Sequence, residues 1–285
     1  MRMASGGYAT AEGQKALWGG RNGEAWVAAQ DLLDQLFRPI ETMLADAVGA
    51  GASVLDIGCG TGSTTVAVAR KAGNGGRAVG VDISEPMIAA ARERADREGS
   101  AATFVRADAQ DYAFEPASFD TIVSRFGVMF FADPIAAFAN LRRAARPGAG
   151  LRLFVWRGMA DNPFMTVAER AAAPLLPNLP VREPDAPGQF AFADRDRVAR
   201  MLEDSGWAEI DIQPVDVPCA MPTDDLEFYF TRLGPVGMTL GSAGADVRAR
   251  VVEAVRPAFE PYVDGPVVRF TAACWSIGAG NGSVS

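Results

Sequence analysis

Apolar residues mark out the elements along the chain. From Gly23 to Val48, Trp26, Leu32, Leu33, Leu36, Phe37, Ile40, Met43 and Leu44 recur at three- and four-residue spacing, the repeat of an amphipathic helix bent or broken at Pro39. Ser53 to Ile57 reads as a short buried strand. The glycine cluster Gly58-Cys59-Gly60-Thr61-Gly62 separates it from a helix over Ser63 to Ala72 that stops at Gly73. The alternation then repeats. Arg77 to Asp82 is a strand, and Ser84 caps a helix with Pro86 in its first turn that ends before Gly99. Thr103 to Arg106 and Phe119 to Ser124 are strands. Asp133-Pro134 opens a helix with Ile135, Phe138 and Leu141 on one face, ended by Pro147-Gly148, and Gly150 to Trp156 is a strand. Strands alternating with helices predict an α/β fold, a parallel sheet covered on both faces.

After Arg157 the rhythm changes. Residues 159–192 are rich in Pro and Ala and hold one helix near Met165 to Ala173. Asp194 caps a helix through Val198, Met201 and Leu202 that stops at Gly206, and the alternation of Ala208, Ile210 and Ile212 with polar residues predicts a half-buried strand. Helices near Asp224 to Leu233 and Ala245 to Phe259 follow, then a last strand from Val267 to Ile277 and a frayed tail from Gly278 to Ser285. The organisation expected is a helical N-terminal cap (1–50), an α/β core (51–158), an insertion (159–192), a core helix and strand (193–220), a second helical insertion (221–264), and a final strand and tail (265–285). There is no internal repeat. Insertions after the strands of an open α/β sheet sit over its ligand crevice, so both are expected to form a lid.

At 285 residues the chain is long enough for a real core without disulfides. Its 27 basic and 35 acidic residues leave a net charge of −8, which disfavours nucleic acid or an anionic membrane as partner. There is no histidine, which removes every His-based general base, Ser-His-Asp triad and His metal ligand. Cys59, Cys219 and Cys274 are too few and too scattered for a zinc site or disulfide framework, as in a reduced, cytoplasmic protein. No stretch approaches the length of a membrane helix, and Met1 to Gln14 has no apolar run, so neither a span nor a signal peptide is expected.

The segment Val54-Leu55-Asp56-Ile57-Gly58-Cys59-Gly60-Thr61-Gly62 carries the chemistry. Glycines between a strand and a helix let the backbone approach a ligand, and the helix N-terminus offers free N–H groups. A dinucleotide site would use G-x-G-x-x-G, but Ser63 stands where the third glycine belongs. Asp56, two residues ahead of the first glycine, would repel a pyrophosphate and suits an amino group. Asp82, at the end of the second strand, is placed to accept the hydroxyls of a ribose. Asp108, after the third strand, could accept from an adenine amino group, with Ile83 and Ala109 as apolar walls. Amine, carboxylate, ribose and adenine together describe S-adenosylmethionine.

These motifs, with Gly80-Val-Asp82-Ile-Ser84, Ala107-Asp108-Ala109 and Phe119-Asp120, resemble those of class I S-adenosylmethionine-dependent methyltransferases. The resemblance covers about residues 50–158 and is nearest to the ubiquinone/menaquinone C-methyltransferase-like branch. It implies a Rossmann-like sheet of seven strands in the order 3-2-1-4-5-7-6, strand seven antiparallel. It also implies contacts from Asp56, Gly58, Cys59 and Gly60 to the methionine part, Asp82 to the ribose, Ile83, Met87, Asp108 and Ala109 around the adenine, and Ser124 facing the methyl group. Trp26, with Trp18, either covers the cofactor or packs in the core. Phe126, Phe130 and Phe131 either line an acceptor pocket or pack beneath the next helix.

The reaction expected is methyl transfer to a small-molecule acceptor: a phenol, an enol, a quinone-like carbon or an amine. S-adenosylhomocysteine is the product. Asp133, Glu227 and Tyr229 are candidates for a base, while Arg125 and Arg157 could bind an anionic acceptor or stabilise an enolate. Asp161-Asn162 resembles a metal-site pair, but Ser124 replaces the aspartate such sites need, and Asp161 fits a helix cap, so no metal is expected. The alternatives are a Rossmann-type NAD(P)-dependent oxidoreductase and a non-catalytic S-adenosylmethionine-binding protein.

Overall fold

The computed structural model of the chain describes residues 10–180, 182 and 186–282. Three helices come first: α1 (Ala11–Gly19), α2 (Arg21–Ala28) and α3 (Gln30–Asp46). The corner in the predicted N-terminal helix falls at Ala29, whose amide closes α2, and Pro39 lies inside α3 on its exposed side, where water can take the carbonyl it leaves free. The core then alternates β1 (Ser53–Ile57), α4 (Ser63–Ala72), β2 (Arg77–Asp82), α5 (Glu85–Glu98), β3 (Thr103–Arg106), β4 (Phe119–Arg125), α6 (Pro134–Ala144) and β5 (Ala145–Trp156). After α7 (Pro163–Ala172) and α8 (Arg195–Asp204) come β6 (Ala208–Pro222), α9 (Leu226–Arg232), α10 (Gly234–Leu240) and α11 (Ala245–Val255). The described chain ends with β7 (Val263–Asp264) and β8 (Val267–Gly280).

One sheet runs β3-β2-β1-β4-β5-β8-β6, with the two-residue β7 paired to β8 off this path. The first five strands are parallel and β8 is antiparallel to both neighbours. Apart from β7, which the sequence did not indicate, this is the expected order. Val54, Leu55, Ile122, Val123, Leu151 and Val155 are wholly buried, as central parallel strands covered on both faces require. The chain builds outward from β1 to β3 and then returns to place β4 beside β1. At that reversal the carboxyl ends of the strands part and a crevice opens.

Several boundaries differ from expectation. α6 passes straight into β5, and Pro147-Gly148 lies within the strand, where the register against β4 shifts between Phe119 and Thr121. Ile135 is 41% exposed, and the buried face of α6 is Ala137, Phe138, Leu141 and Ala144. Successive three-residue steps drift around a helix of about 3.6 residues per turn, so Ile135 falls off the stripe that Phe138 and Leu141 share. β6 continues to Pro222 and β8 to Gly280. Asn281 fastens that end by donating to the carbonyls of Ala145 and Arg146, so fraying does not begin at Gly278. Residues 1–9 and 283–285, the ends of the expected cap and tail, lie outside the described residues.

The two insertions pack on each other rather than over the crevice. Phe164 of α7 stacks on Phe270 of β8 at 3.8 Å between centroids, and Phe259 lies edge-on to it at 5.1 Å. Asn162 anchors this layer. Its Nδ2 donates to the carbonyls of Arg157, Gly158 and Ala273, and its Oδ1 accepts from the Ala273 amide. Asp161 does not cap α7; it pairs with Arg157 at 3.1 Å.

Candidate cofactor site

The carboxyl ends of β3, β2, β1 and β4 open on one cleft, the place where open α/β sheets bind their ligands. Ala107, Asp108 and Ala109 stand at the β3 end, Asp82 and Ile83 after β2 with Met87 beside them, and Gly58 and Gly60 after β1. Arg125, Phe126 and Gly127 close the β4 end. Phe130 and Phe131 form one wall, and Gln14 and Trp18 of α1 with Trp26 of α2 form the roof. None of the described residues of the two insertions lines the cleft, whose roof comes from the N-terminal helices.

Asp82 is held in place by the loops it joins. Its Oδ2 accepts from the Gly60 amide and its Oδ1 from the Ser84 amide, each at 2.9 Å. A carboxylate oxygen takes two hydrogen bonds, so each retains a lone pair for a ligand hydroxyl. Burial raises the Asp82 pKa, and the amides of Ser84, Gly60 and Ile83 pull against that rise. Asp108 keeps one oxygen free, the other accepting from the Gln110 amide at 2.9 Å. Its loop is pinned by Asn140, which donates to the carbonyls of Ala109 and Tyr112.

The glycine loop touches the loop after β4 backbone to backbone. A Cβ at Gly58 would lie 2.5 Å from the Gly127 Cα. At Gly60, whose φ is +55°, a Cβ would meet only the Met87 sulfur at 3.8 Å, so the space above this residue is open. Phe126 has φ +65°, a conformation that a side chain makes costly. Its amide donates to the Phe154 carbonyl, and its ring stacks on Trp156 at 4.6 Å with Phe37 edge-on to both.

Three expected cofactor contacts lie beneath the cleft instead. Successive strand residues face opposite sides, and Asp56 points away from the cleft that Ile57 lines. The Thr65 hydroxyl donates to Asp56 Oδ2 at 2.6 Å, while Oδ1 has no partner. Complete burial pushes this carboxyl up to about 7, against the Thr65 hydrogen bond and the nearby Arg125 charge. Cys59 packs inward with Val66, Ile88, Ala91 and Phe104, and burial raises its thiol. Ser124 is wholly buried. Its Oγ donates to the Ile57 carbonyl at 2.7 Å and accepts from the Gly127 amide at 3.2 Å, so it fastens the two loops and is not among the residues that line the cleft.

Four further candidates lie elsewhere. Asp133 is an exposed cap accepting from the Ala136 amide, and Glu227 is paired with Arg256 on the surface. Tyr229 donates to the Met165 sulfur, with its hydroxyl pKa raised by burial. Arg157 is divided between Asp161 and Asp216. Of the proposed catalytic groups, Arg125 lines the cleft. Gln14 and Gly127 escaped the sequence reading. The glycine just beyond β4 was the available signal for Gly127, whereas Gln14 sits in a helix with no apolar repeat. Among the described residues, no cluster of acidic and cysteine side chains could hold a metal ion.

Residues 54–148 match the family model of a methyltransferase domain. Over 122 residues the chain is 36% identical to nocamycin O-methyltransferase of Saccharothrix syringae, which covers 42% of this chain and 44% of that protein. It thus spans less than half the length of this relative. Over 178 residues it is 28% identical to demethylmenaquinone methyltransferase of Mycobacterium sp. (strain JLS), covering 60% of this chain and 74% of the relative. Its backbone resembles a solved structure described as "Conversion of a Disulfide Bond into a Thioacetal Group during Echinomycin Biosynthesis", with a TM-score of 0.57 at 23% identity over 87% of this chain and 82% of that one. The Bacillus protein YcgJ gives 0.56 at 17% identity, over 86% and 98%. At such identities these likenesses speak to the fold. Fold, glycine loop and family match together make residues 54–148 a class I, S-adenosylmethionine-dependent methyltransferase domain.

Proposed function

We propose that this protein transfers the methyl group of S-adenosylmethionine to a small, ring-bearing acceptor such as a phenol, an enol or a quinone-like carbon. The observation that carries the reading is the division of the cleft. Asp82 and Asp108 stand at the β2 and β3 ends, and Trp18, Trp26, Phe126, Phe130 and Phe131 surround the rest. Asp82 holds the ribose hydroxyls through its spare lone pairs. The free oxygen of Asp108 takes the adenine amino group, with Ile83, Met87 and Ala109 against the base. The open space over Gly60 lets the backbone lie against the methionine part.

The sulfonium of the cofactor supplies an activated methyl group and a neutral thioether leaving group. The aromatic walls then do what the chemistry still requires: they exclude water and align a flat acceptor for in-line attack. Asp82 and Asp108 are occupied at the cofactor end, and the remaining titratable lining residue described is Arg125. The acceptor therefore ionises readily or loses its proton to water, which fits phenols and enols better than protonated amines. The relative named for demethylmenaquinone supports a quinone-like acceptor, and the one named for O-methylation supports an oxygen nucleophile. None of the described helices is long and apolar enough to cross a membrane. The three free cysteines fit a reducing cytoplasm, and the net charge of −8 favours a small molecule over nucleic acid.

Isothermal titration with S-adenosylmethionine, S-adenosylhomocysteine and NADH, beside an Asp82→Ala variant, tests this. Binding of the first two is expected at about micromolar affinity, weakened at least tenfold in the variant by loss of charged hydrogen bonds. Binding of NADH alone would overturn the reading.

A further inference from the structure

Arg94, on α5, is the only basic residue that is buried among the described residues, with 8% of its surface exposed. A buried guanidinium is costly unless its donors are used. Its Nε donates to the Thr61 carbonyl at 2.9 Å, and its Nη2 donates to Gln30 Oε1 at 3.1 Å and to Asp34 Oδ2 at 2.5 Å. The other oxygen of Asp34 lies 3.6 Å from Arg125 Nη2, which donates to Ser63 Oγ at 2.9 Å. The glycine loop is thus gripped on both sides of Gly62, at Thr61 by Arg94 and at Ser63 by Arg125. One carboxylate from α3 braces both arginines. Arg94 and Asp34 line the polar groove between α3, α4 and α5, and neither lines the cofactor cleft.

The loop needs such a hold. Gly60 and Gly62 take φ of +55° and +84°, and glycine makes that region accessible without making it obligatory. No side chain at these two positions narrows the choice, so contacts from outside the loop must. Asp82 accepts from the Gly60 amide. Arg94 turns the Thr61 carbonyl towards α5 and so fixes the peptide between the two glycines. Gln30 opens α3 directly after the corner at Ala29, so the same guanidinium also ties the loop to the helices of the roof. We propose that Arg94 and Asp34 are a positioning pair: without touching the cofactor, they hold the glycine loop in the shape that receives its amino-acid end. The inference rests on the methyltransferase reading and adds to it two residues outside the cleft that set its affinity.

The test compares two ligands by isothermal titration: S-adenosylhomocysteine, and 5′-methylthioadenosine, which keeps adenine, ribose and sulfur but lacks the amino-acid chain. Wild type is expected to prefer S-adenosylhomocysteine by at least about tenfold. Arg94→Gln and Asp34→Asn should each reduce that preference at least about fivefold while binding 5′-methylthioadenosine within about twofold of wild type. Arg94→Lys should restore part of it, because an ammonium still pairs with Asp34 but cannot span Thr61, Gln30 and Asp34 at once. If a single variant strands a charge and fails to fold, the double variant Arg94→Met/Asp34→Leu removes both charges, and the same loss of preference is expected of it. Equal weakening towards both ligands would make the pair merely structural and overturn the proposal. So would variants that keep the wild-type preference, or a wild type with no preference to lose. Wild-type binding of neither ligand would instead remove the methyltransferase reading itself.

Discussion

At the scale of single residues, Asp56 has the clearest measurable consequence. Its carboxyl is pushed up to about 7 by burial, against a value near 3.9 in an unfolded chain. Between those values the folded protein holds a proton that the unfolded chain has released. Stability that is full below about pH 4 is therefore lost as the pH rises through 7, since the unfolded state binds fewer protons over that window. Asp56→Asn cannot ionise and escapes this loss. Urea unfolding at about pH 5 and pH 8 should show the variant losing at least about 1 kcal/mol less stability over the interval than wild type. Equal losses would mean that Asp56 titrates like an exposed carboxylate. Burial of Asp82 acts in the same direction but is common to both proteins. The spacing of Asp56 ahead of the glycines was legible in the sequence, but its direction was not. A strand with apolar residues on both faces offers no contrast to say which side a lone carboxylate takes. The strained Phe126 was readable only as an aromatic near the site, because the rings it packs against, Trp156 and Phe37, come from distant segments.

At the scale of elements, the roof of the cleft depends on how α1 and α2 dock. Ser84 caps α5 by accepting from the Met87 amide, and its hydroxyl donates to the Trp18 carbonyl at 2.7 Å. Gly23 packs into the same junction. A Cβ there would lie 2.2 Å from the Trp18 carbonyl oxygen, 2.6 Å from Ser84 Oγ and 2.9 Å from the Pro86 ring. Gly23→Val should therefore push α1 and α2 off α5 and carry Trp18 and Trp26 away from the cleft, although Gly23 itself does not line it. The expected result is at least a tenfold loss of S-adenosylhomocysteine affinity and faster proteolytic cleavage between residues 10 and 30, with most of the thermal stability kept. Unchanged affinity would show that the roof plays no part in binding. Caps at Ser84, Asp133 and Asp194 were legible because capping is local. The corner at Ala29 and the helix α1 were not, since contacts with α5 set them. β6 was legible only at its start: Pro214, Pro218 and Pro222 argue against a strand, and an edge position lets them remain.

At the scale of the whole molecule, the methyltransferase domain and the later strands should behave as one cooperative body. β8 lies between β5 and β6, and one continuous apolar cluster reaches from Ala29 to Ala279. Cys59 sits in a smaller cluster against α5 and β3, whereas Cys219 and Cys274 lie in β6 and β8. All three thiols are free and buried, and burial pushes Cys219 and Cys274 up to about 12. Each can therefore be alkylated only when the structure around it opens. If opening is global, N-ethylmaleimide followed by mass spectrometry of the three peptides should give one common rate in the native protein. S-adenosylhomocysteine at about a hundred times its Kd should then slow all three by about a hundredfold, because a ligand that binds only the folded state stabilises every part of a cooperative unit equally. Protection of Cys59 alone would divide the molecule at β5, with β6 and β8 opening on their own. The continuity of the sheet argues for the common rate. To free Cys274, β8 must leave both neighbours, and doing so uncovers Leu151, Leu153 and Val155 of β5, on which the cofactor half also stands.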